Sequence, residues 1–412
     1  MSEPSRREFI VEAGGALAAI SLVPALEDLS PFAPDEPVEI AVVGVGRQGR
    51  AILGELQKLD GARVTALCDV DPSRLESGAR RASGVEGFAD HRAMLERKKD
   101  LRAVFVSTPT HLHRSIVEDL LAAGKAVYCE APIASTLEDA RAIAKGARSS
   151  KSVFQSGLQA RANPVYRLAW SFFRSDAGRD LVSMRAQHYR KTSWRVPAAD
   201  PARERSLNWR LDPEVTLGLE GELGTNQFDV FHWFVGRYPA SVRGSGAVRL
   251  HADGRKVPDT VLLDLAFPEG VRLAYAASLA NSFEGAHEVF HGAQATLKLA
   301  WTAGWMFKEA DAPTQGWEVY ANRQRFGNEE GITLIADATK LAAQGKLKEG
   351  VGLPQPPLYY AVEAFLKSVA QGEAVVCGAE EGYRATAVGI LAHRAVSTGE
   401  TVEIGESVLK VD

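Results

Sequence analysis

Short apolar runs alternating with runs of helical period set the rhythm of the first third of the chain. Val38–Val43 reads as a buried strand and is followed by a helical run, Arg50–Leu59. Further strands are predicted at Arg63–Cys68, Arg102–Ser107, Ala126–Cys129 and Ser152–Ser156. Between them lie helices at Arg74–Ala82, Asp90–Lys98, around His113 and at Thr136–Ser149. Strands and helices taken in turn predict a doubly wound parallel sheet, an α/β Rossmann domain over 38–157.

The pattern then changes. A helix is predicted from Asn163–Pro164 to Arg174, then a strand over Leu181–Thr192. Period-2 alternation puts Met184, Ala186, His188 and Arg190 on one face of that strand, and Arg185, Gln187, Tyr189 and Lys191 on the other. With polar groups on both faces, one face is expected to line a wet cleft. Ser193–Leu217 has little periodicity and reads as a long irregular loop carrying Trp194, Arg195, Trp209 and Arg210. A helix is predicted from near Gly224. Alternating strands follow at Ser241–Leu250, Thr260–Phe267, Arg272–Leu279, His287–His291 and Thr296–Ala300. Phe326–Leu353 reads as an insertion with one helix, Ile332–Gln344, and Tyr359–Gln371 and Glu380–Ser397 as closing helices. Residues 158–412 thus form a second domain of α+β type.

Composition narrows the class. At 412 residues, with 45% hydrophobic and 24% charged residues, the chain has room for two domains with sizeable cores. A net charge of −4 gives no general attraction to nucleic acid or anionic membranes. The three cysteines, Cys68, Cys129 and Cys377, have no metal-ligand spacing and do not make a disulfide framework. No metal is expected: His287 and His291 recur at sheet spacing without a third ligand.

Ser5-Arg6-Arg7-Glu8-Phe9-Ile10 resembles a twin-arginine export signal. Ile10–Leu26 follows as a mildly apolar segment, with small residues for cleavage after Ala25, and Glu27–Pro37 reads as a linker. Residues 1–37 are accordingly set apart as signal and linker, and the expected location is periplasmic or otherwise exported, the alternative being an amphipathic N-terminus on a cytoplasmic protein. That route carries folded proteins, so a dinucleotide-binding chain using it is expected to leave with its cofactor bound.

The candidate chemistry begins where the first strand ends. Gly44, Gly46 and Gly49 give the G-x-G-x-x-G spacing, with Arg47 and Gln48 inside it. The first glycine makes the tight turn, the second lets backbone approach a pyrophosphate, and the third packs helix on strand. Asp69 follows 20 residues after Gly49, placed to accept from an adenosine ribose and to repel a 2′-phosphate. NAD is therefore preferred, although Arg74 stands close enough in sequence to leave NADP open. Thr108-Pro109-x-x-x-His113 and Glu130-x-Pro132 end the next two strands, where ligands bind in such sheets.

These four signatures in order, with Gln155–Arg161 as a crossover, resemble the Gfo/Idh/MocA oxidoreductases. The resemblance implies an NAD(P)-binding Rossmann domain, with Thr108, Pro109, His113, Glu130 and Gln159 among its cofactor contacts. It also implies a second domain with a large, open, mainly antiparallel sheet that floors the active site and often joins subunits as a homo-oligomer. The expected substrate is a sugar, polyol or cyclitol, with Arg161, Tyr189, Trp209 and Arg210 as its candidate binders.

Two departures stand out. The family's usual Glu-Lys-Pro is Glu130-Ala131-Pro132 here, and Ala131 has no group that titrates or hydrogen-bonds. The family's catalytic Asp-x-x-x-His-x-x-Asp corresponds to Glu222, Asn226 and Asp229, with asparagine in place of the usual acid/base histidine. Asn226 can orient a hydroxyl but cannot take its proton. His232 lies about 240° round the helix from Asn226 and is a poor substitute. The nearest replacements are Lys191, if burial lowers its pKa, Glu222, if burial raises its own, and Tyr189. Three functions stay open: a dehydrogenase with a non-standard acid/base, a glycoside hydrolase or lyase using NAD transiently, and a non-catalytic dinucleotide-binding protein.

Overall fold

The computed structural model describes residues 32–82, 84–175, 177–314, 318, 321–335 and 352–412. The export signal and most of the helix expected at Ile332–Gln344 lie outside the described residues. The described chain divides into two compact units, one holding 163–185 with 287–356, the other 32–162 with 186–286 and 357–412.

In the larger unit, β1 (Val38–Val43), β2 (Ala62–Cys68), β3 (Glu86–Phe88), β4 (Ala103–Val106), β5 (Ala126–Cys129) and β6 (Phe154–Ser156) form a parallel sheet ordered β3-β2-β1-β4-β5-β6. This is the dinucleotide-binding strand order, with its reversal between β1 and β4. The short β3 is missing from the sequence reading because three residues are too few for any period to show. The strands are apolar on both sides because helices cover both faces. Val43, Val104, Val106 and Val127 pack with Val117, Leu120 and Ile143 from the helices, and with Tyr383 from the closing helix Ala379–Thr398. Helix starts follow the side chains: Asp90 accepts from the amides of Arg92 and Ala93, and Thr136 accepts from that of Asp139.

The remaining strands pair antiparallel within each unit. In the larger unit, β8 (Ser241–Ala247), β9 (Thr260–Ala266) and β10 (Arg272–Ser278) form a meander, with β16 (Val402–Glu403) along β8. In the other unit, β11 (Ala286–Gly292), β12 (Ala295–Ala300), β13 (Ala303–Lys308), β15 (Glu329–Thr333) and β14 (Arg323–Phe326) pair in that order. Of β7 (Leu181–Tyr189), residues 181–185 are counted with one unit and 186–189 with the other.

Two expectations are corrected. Ser193–Leu217 is not structureless: it holds a helix, Pro201–Leu207, and a 3-10 turn, Trp209–Leu211. Asp200 caps that helix through the amides of Ala202 and Arg203, with Pro201 at its first position, a start signal masked by the absence of any buried residue on the helix. Ile332 and Thr333 lie in β15 rather than opening a helix.

Candidate dinucleotide and catalytic site

The site is built within the larger unit, outward from the glycine turn. Gly44 has φ +88°, and a Cβ there would lie 2.6 Å from the Ser107 carbonyl carbon. At Gly49 a Cβ would lie 2.0 Å from the Gly44 oxygen. Gly46 differs, since the nearest atoms to a Cβ belong to Arg74, 3.8 Å away. The turn is closed against protein at its ends and open in the middle. The helix Arg47–Leu56 starts at Gly46 without a side-chain cap, which leaves its first-turn amides for an anion. These features fit a dinucleotide pyrophosphate.

Asp69 is buried; its Oδ2 accepts from Val45 N–H at 2.7 Å and its Oδ1 from Asp71 N–H at 2.9 Å. The carboxylate thereby shapes the turn and keeps further lone pairs for ribose hydroxyls. Gln48 Nε2 donates to Glu130 Oε1 at 2.8 Å, tying the turn to the end of β5. Burial pushes the Glu130 carboxyl up to about 7, against the pull of that hydrogen bond. Thr108 Oγ1 is buried and has no hydrogen-bond partner among the described residues, the kind of orphan a ligand satisfies.

His113 is placed differently from a cofactor contact. It is buried between Thr108 O at 3.0 Å and Ile133 O at 3.2 Å, and burial lowers its pKa to about 4. It fixes the loops after β4 and β5 rather than facing the cleft. Gln159 is half-buried in the turn Gln159–Ala162. Ala131, joined to Pro132 by a cis peptide, packs against Leu158, Cys377 and Ala385, so an apolar surface stands where the family's lysine is usual.

The segment expected to be catalytic is two helices, Gly218–Glu222 and Gly224–Val235, broken at Leu223. Glu222 is buried. Thr110 Oγ1 donates to its Oε2 at 3.2 Å, Leu217 N–H donates to its Oε1 at 3.4 Å, and Arg210 Nε lies 3.7 Å from Oε2. Burial raises its pKa, with Arg210 opposing. Asn226 is half-buried and unpartnered among the described residues. Asp229 is fully buried, and both its oxygens are taken at 2.8 Å by Arg161 Nε and Nη2. Burial works against the Arg161 charge, yet Asp229 raises its pKa overall. The two residues therefore satisfy each other. Asp229 anchors its helix instead of moving a substrate proton, and Arg161 is not a free substrate ligand.

Lys191 is exposed in the segment after β7, where its N–H donates to Ser282 Oγ at 2.7 Å, so the burial that would make it a neutral base is missing. Tyr189 ends β7 half-buried. The Arg210 guanidinium lies 4.4 Å from the Trp209 ring and 5.6 Å from the Trp194 ring. Trp209 also meets the His111 ring edge at 6.0 Å. Thr110 and His111 were not singled out by sequence reasoning; their only signal is position, just past the carboxyl end of β4. Among the described residues no three histidine, cysteine, aspartate or glutamate side chains could hold a metal ion.

Comparison with known proteins agrees with this fold. Residues 38–158 match the Gfo/Idh/MocA oxidoreductase family's NAD-binding Rossmann fold, and residues 185–404 match its C-terminal alpha/beta domain. Inositol 2-dehydrogenase 1 of Saccharopolyspora erythraea is 25% identical over 89% of this chain and 96% of its own. Levoglucosan dehydrogenase of Pseudarthrobacter phenanthrenivorans is 26% identical, over 42% of this chain and only 43% of its own length. A solved levoglucosan dehydrogenase, in complex with NADH and levoglucosan, superposes with a TM-score of 0.71 at 18% identity, covering 89% of this chain and 99% of that one. It shares the fold. With both domains matched and the glycine turn, Asp69 and the broken catalytic helix in place, the chain belongs to the Gfo/Idh/MocA family of NAD(P)-dependent oxidoreductases.

Proposed function

We propose that this protein is an NAD-dependent dehydrogenase that oxidises a secondary hydroxyl of a sugar or cyclitol, with Glu222 as proton acceptor. The names of its relatives, inositol and levoglucosan dehydrogenases, support the substrate class. The observation that carries the reading is Glu222, a buried carboxyl raised in pKa beside Thr110, just past the carboxyl end of a parallel strand. NAD, when bound, supplies the hydride acceptor. Asn226 orients the hydroxyl through its free amide. The hydroxyl proton passes to Glu222 Oε2, directly or through Thr110 Oγ1, which already donates to that oxygen. Arg210 favours the ionised carboxylate while burial opposes it, which tunes Glu222 toward the working pH of a general base.

Oxidation requires ionised Glu222, so the rate rises with pH through its raised pKa. Glu222→Gln is expected to lower kcat by about 10²–10⁴-fold and to remove that acid limb, with NAD affinity unchanged. NADH absorbance with a panel of neutral and charged sugars measures the rate. A full rate and an unaltered pH profile in Glu222→Gln would overturn the assignment. The Ser5–Ile10 motif supports export of the folded chain with its cofactor bound, and dinucleotide recovered from protein purified from the export compartment tests this.

A further inference from the structure

The segment after β7 spends conformational strain on one side chain. Trp194 has φ +61°, a region that a bulky side chain rarely occupies and that marks functional sites when the surroundings enforce it. Here they do. Before it, Ser193 Oγ accepts from the buried Arg255 Nη2 at 3.0 Å. After it, Arg195 Nε meets Asp253 Oδ2 at 2.8 Å. Buried Asn208 clamps Val196, accepting from its N–H at 2.7 Å and donating to its carbonyl at 2.8 Å. Pinned on both sides, Trp194 sets its ring beside Arg210, with Trp209 from the next turn also against it.

Arg210 is thereby held without being used up. Its side chain is 41% exposed, it makes no hydrogen bond among the described residues, and its ion pair with Glu222 is a loose one, Nε to Oε2 at 3.7 Å. A planar guanidinium held by indoles presents a fork of N–H donors that matches a carboxylate or phosphate. It does not stand alone. Burial lowers the pKa of Arg47, and the charges of Arg210 and Arg190 lower it further, so the three arginines share one field. Neither the Arg47 nor the Arg190 side chain makes a hydrogen bond or ion pair among the described residues, and both residues are exposed at the surface. The carboxyls that feel Arg210, Glu222 and Glu130, are both pushed toward their neutral forms by burial. The combined positive charge of the three arginines attracts negative ligands.

We propose that Arg210, held between Trp194 and Trp209, binds a carboxylate or phosphate carried by the substrate, so that the site selects an anionic sugar over a neutral one. This rests on the dehydrogenase reading for its chemistry, but it is a statement about binding and is tested by binding. The experiment titrates glucose, glucuronate and glucose 6-phosphate into the NAD-loaded, full-length protein by calorimetry, for wild type, Arg210→Ala and Arg210→Lys.

Wild type is expected to bind at least one of the two anionic sugars ten-fold or more tighter than glucose, and the preferred one identifies the group. That preference should weaken as salt is raised, since the site is partly exposed. Arg210→Ala should remove it, and Arg210→Lys should recover only part, because lysine keeps the charge but loses the fork and the stacking. Circular dichroism of the same samples should be unchanged and shows that the variants are folded. Equal affinity of wild type for glucose and both anions would overturn the proposal, as would variants that keep the preference. If neutral sugars are oxidised and bound as well as charged ones, the dehydrogenase reading stands and this proposal falls. If charged sugars bind selectively but none is oxidised, the reverse holds.

Discussion

Removing the carboxylate of Asp229 tests whether the catalytic helix is held by a buried ion pair. Asp229 has no accessible side-chain surface, and Arg161 keeps 13% of its own. Two hydrogen bonds of 2.8 Å join them, and the guanidinium also lies 5.8 Å from the Trp233 ring. Asp229→Ala leaves that guanidinium buried without its counter-ion, and Arg161→Met leaves the carboxylate equally stranded. Breaking such a pair from one side costs about 3–5 kcal/mol. Removing both partners strands no charge, so the double variant should fall well short of the sum, with a coupling above roughly 2 kcal/mol. Urea unfolding of the four proteins, followed by fluorescence and circular dichroism together, gives the cycle. Single losses below about 1 kcal/mol, the range of an exposed pair, would refute the reasoning. So would additivity within about 0.5 kcal/mol. Because Asn226 lies one turn before Asp229 on the same helix, kcat should fall in Asp229→Ala even where the fold survives.

Two further outcomes follow from the dinucleotide turn. Gly49→Ala places a methyl 2.0 Å from the Gly44 oxygen, so the helix must retreat from the turn and NAD affinity measured by equilibrium titration should collapse; wild-type affinity would refute the packing argument. Glu130 carries a pKa raised from 4.5 to about 7, so its neutral form suits the fold better than its ionised form. The stability it contributes is fully present below the ordinary carboxylate pKa and lost as pH rises through about 7. Without added cofactor, wild type should lose up to about 3 kcal/mol from this source between about pH 5 and pH 8. Glu130→Gln should show a correspondingly flatter dependence of Tm on pH.

Much of the first domain is written locally. Its strands are apolar runs, its helix caps are Asp and Thr at the right offsets, and the glycine turn and Asp69 announce a dinucleotide by their spacing in a strand-turn-helix context. The losses at Ala131 and Asn226 are likewise plain in the sequence, because absence of a titratable group needs no fold to establish. What the sequence left open was which remaining group carries the proton. Lys191, Glu222 and Tyr189 are equal as letters, and burial is what separates them: Lys191 is exposed and Tyr189 half-buried, whereas Glu222 is buried beside Thr110, 112 positions away in sequence, which is the ground on which the proposed function gives it the proton.

Asp229 and Arg161 each read as site residues, yet they consume each other's hydrogen-bonding capacity across 68 positions. The tryptophan–arginine segment gave no period because its order comes from Asp253, Arg255 and Asn208, which pin it through long-range or backbone contacts. Local propensity and spacing determined the elements and the cofactor class. Burial, charge pairing and free valence are properties of the space between elements, so only the tertiary structure decided which polar side chains remain free to act.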